Sequence, residues 1–118
     1  MQGANIKKAG FHGTQLGLTD LRGAKLEESN FAEAKISDSN MSFIQAKQAN
    51  FENSNINNVK LEKADLSNTN FKNADLRKVN FVEANLEGAD FTGANFEEVN
   101  FHNANLEGVT GLPEEYLK

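Results

Sequence analysis

The chain has 118 residues, 38% apolar and 25% charged, with 12 Lys+Arg against 17 Asp+Glu and a net charge of −5. That length supports one domain, the acidic balance argues against direct nucleic-acid binding, which needs a basic footprint, and the absence of Cys excludes disulfides and thiolate metal sites. No apolar run approaches the ~18 residues of a membrane span, and the start, Met1-Gln2-Gly3-Ala4-Asn5-Ile6-Lys7-Lys8, lacks the apolar stretch of a secretory signal, so a cytoplasmic protein is expected.

From Ala4 onward the chain reads in fives. Of the 21 positions taken every fifth residue from Ile6 to Leu106, all but Ala46 are large and apolar. Two residues before each sits Ala, Ser, Thr or Val, except at Ile44, and the slot between holds Asn or Asp 15 times in 21. A period of five fits neither a helix nor a long strand. On an extended chain residues two apart face the same way, so the small and the large residue both point inward and the polar one outward. The remaining two residues must turn the chain. The second of them is Gly or Asn in 10 of 21 units, including Gly13, Gly88, Asn53 and Asn68, as the φ > 0 position of a type II turn requires.

Phe11, Phe31, Phe51, Phe71 and Phe91 recur every 20 residues, as do Val59, Val79 and Val99. Four pentapeptides therefore make a coil, and 21 units make about 5.25 coils, a rod of roughly 25 Å at the ~4.8 Å spacing of strands. Units such as Ala64-Asp65-Leu66-Ser67-Asn68 and Ala84-Asn85-Leu86-Glu87-Gly88 resemble those of the pentapeptide-repeat proteins, and the resemblance runs from about Ala4 to Val109. It implies an all-β fold, a right-handed quadrilateral (four-sided) β-helix solenoid with a narrow, waterless core. The solenoid is expected over residues 1–110, with a short helical C-terminal cap over 111–118.

One unit departs from the pattern. In Phe43-Ile44-Gln45-Ala46-Lys47 the small and large residues are exchanged, which keeps the summed inward volume and predicts an intact register. Phe43 falls in an outward corner slot. Leu18 and Val82 also point outward, and the four-side count sets them apart from it. After Val109 the pattern stops. Pro113, Glu114 and Glu115 suit the first turn of a short helix, and Leu112, Tyr116 and Leu117 are placed to fold over the last coil or to meet a second copy in a two-fold dimer. The resemblance offers a parallel, since some family members dimerise through their C-terminal ends.

Chemistry is harder to find. His12 and His102 fall on different sides about four coils apart, so they share no metal and form no relay. The carboxylates sit outside a filled core, with no cleft to tune them for acid–base work. No catalytic residue, cofactor site or metal site is expected. The Asn/Asp column is expected to form hydrogen-bonded ladders along the rod rather than a calcium site. Charge, however, is unevenly spread. Residues 1–80 carry 11 basic and 9 acidic side chains, whereas residues 81–118 carry 1 and 8. Glu83, Glu87, Asp90, Glu97, Glu98 and Glu107 form a candidate acidic partner surface. The expected function is a non-catalytic, rigid protein-interaction module. The alternative comes from the resemblance: some family members mimic DNA and act on type II topoisomerases such as DNA gyrase. Magnitude weighs against it here, because duplex DNA of ~25 Å carries roughly 15 charges. A flat ice-binding face would need a Thr column that the outward slots lack.

Overall fold

Each pentapeptide has five backbone N–H groups to satisfy, and the way it does so dictates the architecture. The computed structural model describes residues 2–117, and the unit Thr69–Asn73 shows the scheme. The Thr69 N–H closes a turn onto the Leu66 carbonyl at 3.3 Å, and Asn70 donates to Ala49 of the preceding coil at 3.1 Å. Phe71 and Asn73 donate to Asp90 and Thr92 of the following coil at 2.7 and 2.9 Å. The fifth N–H, on Lys72, goes to a side chain, Asn70 Oδ1, at 2.9 Å. Every side thus bonds to the coil before and the coil after, and the chain winds into a parallel β-solenoid.

One side carries continuous strands: β1 (Gln15–Gly17), β2 (Lys35–Asn40), β3 (Asn55–Lys60), β4 (Asp75–Asn80) and β5 (Asn95–Glu97). They form one five-stranded sheet in chain order. Its pairing advances by 20 residues per strand, Leu16 to Ile36 to Ile56 to Leu76 to Phe96. The other three sides are joined by single parallel bridges such as Asp20↔Asn40, Lys25↔Gln45 and Asn30↔Asn50. The cross-section is therefore square, and the molecule measures 35 × 22 × 21 Å. The coil count is slightly below the 5.25 expected. Four full turns separate β1 from β5, and single bridges at Asn5↔Lys25 and Asp90↔Thr110 secure part-turns beyond them. The long axis exceeds the ~25 Å expected from strand spacing, and the C-terminal cap, which that count leaves out, packs over the last coil at one end.

The corners are of one kind. The second corner residue of all 21 units has positive φ, whether it is Gly13 at 69°, Asn68 at 55° or Lys63 at 56°. Gly and Asn are the low-strain choices there, and the coil pairing holds the other residue types in place.

Inside, like sits on like. Phe11, Phe31, Phe51, Phe71 and Phe91 form one column with ring centroids 4.7–4.9 Å apart and planes within 5° of parallel. Phe81 and Phe101 stack on the opposite side and meet this column edge-on across the core, Phe71 and Phe81 at 86°. Ala24, Ala34, Ala64, Ala74, Ala84 and Ala89 fill the small slots and are fully buried. The exchanged unit keeps its register: Gln45 bridges Lys25 and Asp65, and Ile44 and Ala46 are both fully buried. Burial weakens only at the ends, where Ile6, Phe11, Leu16, Phe96 and Leu106 are half-buried.

The C-terminal cap is smaller than expected. It is a single 3₁₀ turn, Glu114–Tyr116, preceded by an extended Pro113 (φ −59°, ψ 146°). Gly111 directs the chain across the last coil. Its φ is +82°, and a Cβ there would fall on the backbone of Phe91 and Thr92. Tyr116 then packs over Phe96 and Phe101, with centroids 5.6 and 5.1 Å away.

Two outcomes follow from this packing. Phe51→Ala opens a void in the middle of the stack and should cost about 3–5 kcal/mol in chemical denaturation; an unchanged midpoint would show that the ring is not a core element. Ile44→Ala alone should destabilise, whereas adding Ala46→Leu should restore most of the loss, because the two side chains share one volume. Additive losses in the double variant would contradict that.

Candidate interaction surfaces

The acidic end is less free than its sequence suggests. Glu83 lies 3.8 Å from Lys63, Asp90 3.8 Å from Lys72, and Glu97 3.5 Å from Arg77. Each base comes from the coil below its acid, so three of the six candidate acids are part-neutralised. Glu87, Glu98 and Glu107 remain exposed, without an ion pair among the described residues. The surface is therefore a mixed lattice with a surplus of carboxylates at its end. Pairs this exposed contribute little to stability. Their consequence is to lower the field a partner would meet.

The Asn/Asp column works differently from the ladders expected. Eleven of its members accept the N–H two residues on through Oδ1, including Asn30, Asn50, Asn80, Asn85 and Asn100. Only Asn105 reaches its counterpart one coil away, Asn85, at 3.3 Å. Three of the four exceptions, Asn55, Asp75 and Asn95, begin strands β3, β4 and β5, where the ladder itself runs on past the slot. The column is structural, and among the described residues no cluster of His, Asp and Glu is able to hold a metal ion. His12 is exposed and pairs with Glu33 at 3.0 Å, while His102 is exposed at the other end. Among the described residues no helix is long and apolar enough to cross a membrane.

Two carboxylates are perturbed, both for local reasons. Asp20 is held down at about 2 by its hydrogen bonds from the Arg22 side chain and N–H. The hydroxyl and N–H of Thr92, then the Thr110 hydroxyl and Lys72, hold Asp90 below the usual carboxylate range, against a desolvation that pushes the other way. Both shifts arise from contacts on the outer surface of the coils.

Residues 46–110 match the family described as pentapeptide repeat region, and residues 15–53 match pentapeptide repeats (8 copies). The chain belongs to the pentapeptide-repeat family. No curated protein matches its sequence. Among solved structures it is similar to the pentapeptide repeat protein Rfr23 from the cyanobacterium Cyanothece 51142, with a TM-score of 0.80 and 21% identity over 91% of this chain and 87% of that one. Trypsin-treated variants of QnrB1, a plasmid-mediated fluoroquinolone resistance protein, give TM-scores of 0.59 and 0.60 at 21% and 18% identity. They align over 92% of this chain but only 54% and 62% of their own. At such identities the likeness is one of fold.

In this pentapeptide-repeat protein the cap decides which C-terminal groups stay available. Leu112 and Tyr116, two of the three expected dimer contacts, are half-buried against their own core. Leu117 is 55% exposed. Burial over Phe96 and Phe101, and then the Glu115 carboxylate, push the Tyr116 phenol above its ordinary value. A raised folded-state value means that the cap is fully stable below the ordinary phenol range near ~10 and loses stability as pH rises through the folded value. The chain has a single Tyr, so an alkaline absorbance titration reads this residue alone. Its midpoint should lie above 10 in the parent and fall back toward ~10 in Gly111→Ala, whose cap cannot seat. A parent midpoint at or below 10 would show that Tyr116 is not covered.

Proposed function

We propose that this protein is a non-catalytic, rigid module that binds another protein through its outer side chains. One observation carries the reading: the inward residues of the middle coils are consumed by an unbroken core, while the outward residues form a fixed lattice on four flat sides. Such open faces offer little enclosure to a small substrate, which needs a deep concave site, and much to a partner that docks without distorting them. Pentapeptide-repeat proteins generally serve as structural or interaction modules, which supports the same view.

A type II topoisomerase such as DNA gyrase is the second reading. The acidic surplus at the C-terminal end favours it, together with a fold shared with a fluoroquinolone resistance protein. Charge density argues against it as the main role. Duplex DNA as long as the molecule would carry about 20 charges, against a net of −5 in which half the candidate acids are already paired.

Capture on the immobilised protein from a bacterial lysate, followed by a supercoiling assay with DNA gyrase, separates the two. The expected result is a saturable protein partner and unchanged supercoiling. Retention of nothing at any protein concentration would contradict the module reading, and inhibition of gyrase would make the topoisomerase reading the primary one.

A further inference from the structure

The second corner slot is the place in each unit where a large side chain is least at home. All 21 such residues have positive φ, where a bulky residue is strained. Nineteen of them are Gly, Asn, Asp, Gln, Glu or Lys; only Leu18 and Phe43 are large and apolar. Neither is compensated by burial. Leu18 is 87% exposed at φ 53°, and Phe43 is 55% exposed at φ 63°. The sequence thus places two hydrophobic residues where burial offsets little of the backbone strain.

The register puts them on one side. Leu18 is at the corner that leads into the side containing Asp20, and Phe43 is at the corner that leaves the next coil's side containing Asn40. These two sides are bridged through Asp20↔Asn40. The four-side count had set the two residues apart; they border the same face from opposite edges. The polar groups between them are largely matched. Asp20 and Arg22 form a two-point pair at 2.8 and 2.9 Å, and Asn40 accepts the Ser42 N–H at 3.0 Å. A partner that offers an oxygen to the Asn40 amide nitrogen and the Ser42 hydroxyl covers this strip without stranding a polar group.

Charge around Phe43 has a direction. Its acidic neighbours are engaged within the chain: Asp20 with Arg22, Glu62 with Asn80 at 3.0 Å, and Asp65 with Ser67 at 2.9 Å. Lys25 and Lys60 are exposed and form no ion pair among the described residues. Lys63 places its Nζ 5.7 Å from the centre of the Phe43 ring. The register sets Lys60 beside Asn40 on this side and Lys25 beside Gln45 just past the Phe43 corner, so an aromatic anchor flanked by two amines without a carboxylate partner fits an apolar surface bordered by carboxylates.

We propose that the side bordered by Leu18 and Phe43 is a docking surface for an acidic, amphipathic protein segment, with Phe43 as its anchor and Lys25 and Lys60 as its rim. This rests on the module reading and names the surface and the partner's chemistry. It places the contact on the N-terminal half, opposite in sign and position to the acidic end. A single-stranded nucleic acid also likes lysines beside an aromatic ring, but Leu18 offers no stacking plane and the chain is acidic overall.

The test uses a labelled amphipathic peptide of about 20 residues with Leu on one helical face and Glu on the other, its counterpart with Lys for every Glu, and oligothymidylate. The parent should bind the acidic peptide saturably and the other two far more weakly. Phe43→Asn should weaken that binding at least ~tenfold while raising the melting temperature, because Asn tolerates the corner conformation. Lys25→Glu with Lys60→Glu should weaken it as well. Absence of saturable binding, equal binding by Phe43→Asn, or preference for the basic peptide or oligothymidylate would overturn the proposal. If a partner captured from lysate binds Phe43→Asn as tightly as the parent, this surface is wrong and the module reading stands; if neither protein retains a partner, both fail.

Discussion

The structure depends on what happens to one amide per pentapeptide. Four of the five N–H groups find carbonyls as soon as coils stack, two within the coil or below it and two above, as in Thr69–Asn73. The fifth points along the corner, where no carbonyl is within reach. An Asn or Asp two residues earlier supplies the acceptor in eleven units, as Asn70 does for Lys72. This requirement fixes a short side chain with a terminal oxygen in the slot between the small and the large inward residues. It also explains why Asn55, Asp75 and Asn95 are free of the duty: the ladder of β3, β4 and β5 continues past them.

With the backbone satisfied within and between coils, the core is reduced to a problem of volume. Every coil offers the same four large and four small positions, and the stack repeats them at strand spacing. Phenyl rings can lie flat on one another only because their columns are uninterrupted, as from Phe11 to Phe91. The exchange at Ile44 and Ala46 shows how strict the sum is and how loose the order. One discord remains inside: the Ser54 hydroxyl is buried without a hydrogen-bond partner, in a column otherwise held by Thr14 and Ala34, Ala74 and Ala94. A buried hydroxyl without a partner weakens a core, and nothing in the structure explains its presence.

Much of this was legible in the chain. The fivefold period gave the inward slots, the Phe spacing gave four sides, and Gly and Asn marked the corners. The role of Asn was not legible, because the corner amide is seen to lack an acceptor only once the coils around it are paired. The neutralisation of the acidic end was present in the sequence and missed: Lys63 to Glu83 and Arg77 to Glu97 are each one coil apart, so the 20-residue register that aligned the Phe residues would also have aligned these charges. The same register places Leu18 and Phe43 on one side. The cap was misjudged in length because Pro113 stays extended, leaving a single 3₁₀ turn where helical signals in the sequence suggested about two turns.

The flat sides, the matched polar groups and the few uncompensated residues all rest on corners that hold their shape, and corner rigidity rests on the Asx contacts. Amide hydrogen exchange reads them one by one. Corner amides with an acceptor, such as Lys72, Val82 and Glu87, should be protected relative to those of Glu27 and Lys47, whose units carry Lys25 and Gln45 in the acceptor slot. Equal exchange in the two groups, under conditions where the interior coil amides remain protected, would contradict the account.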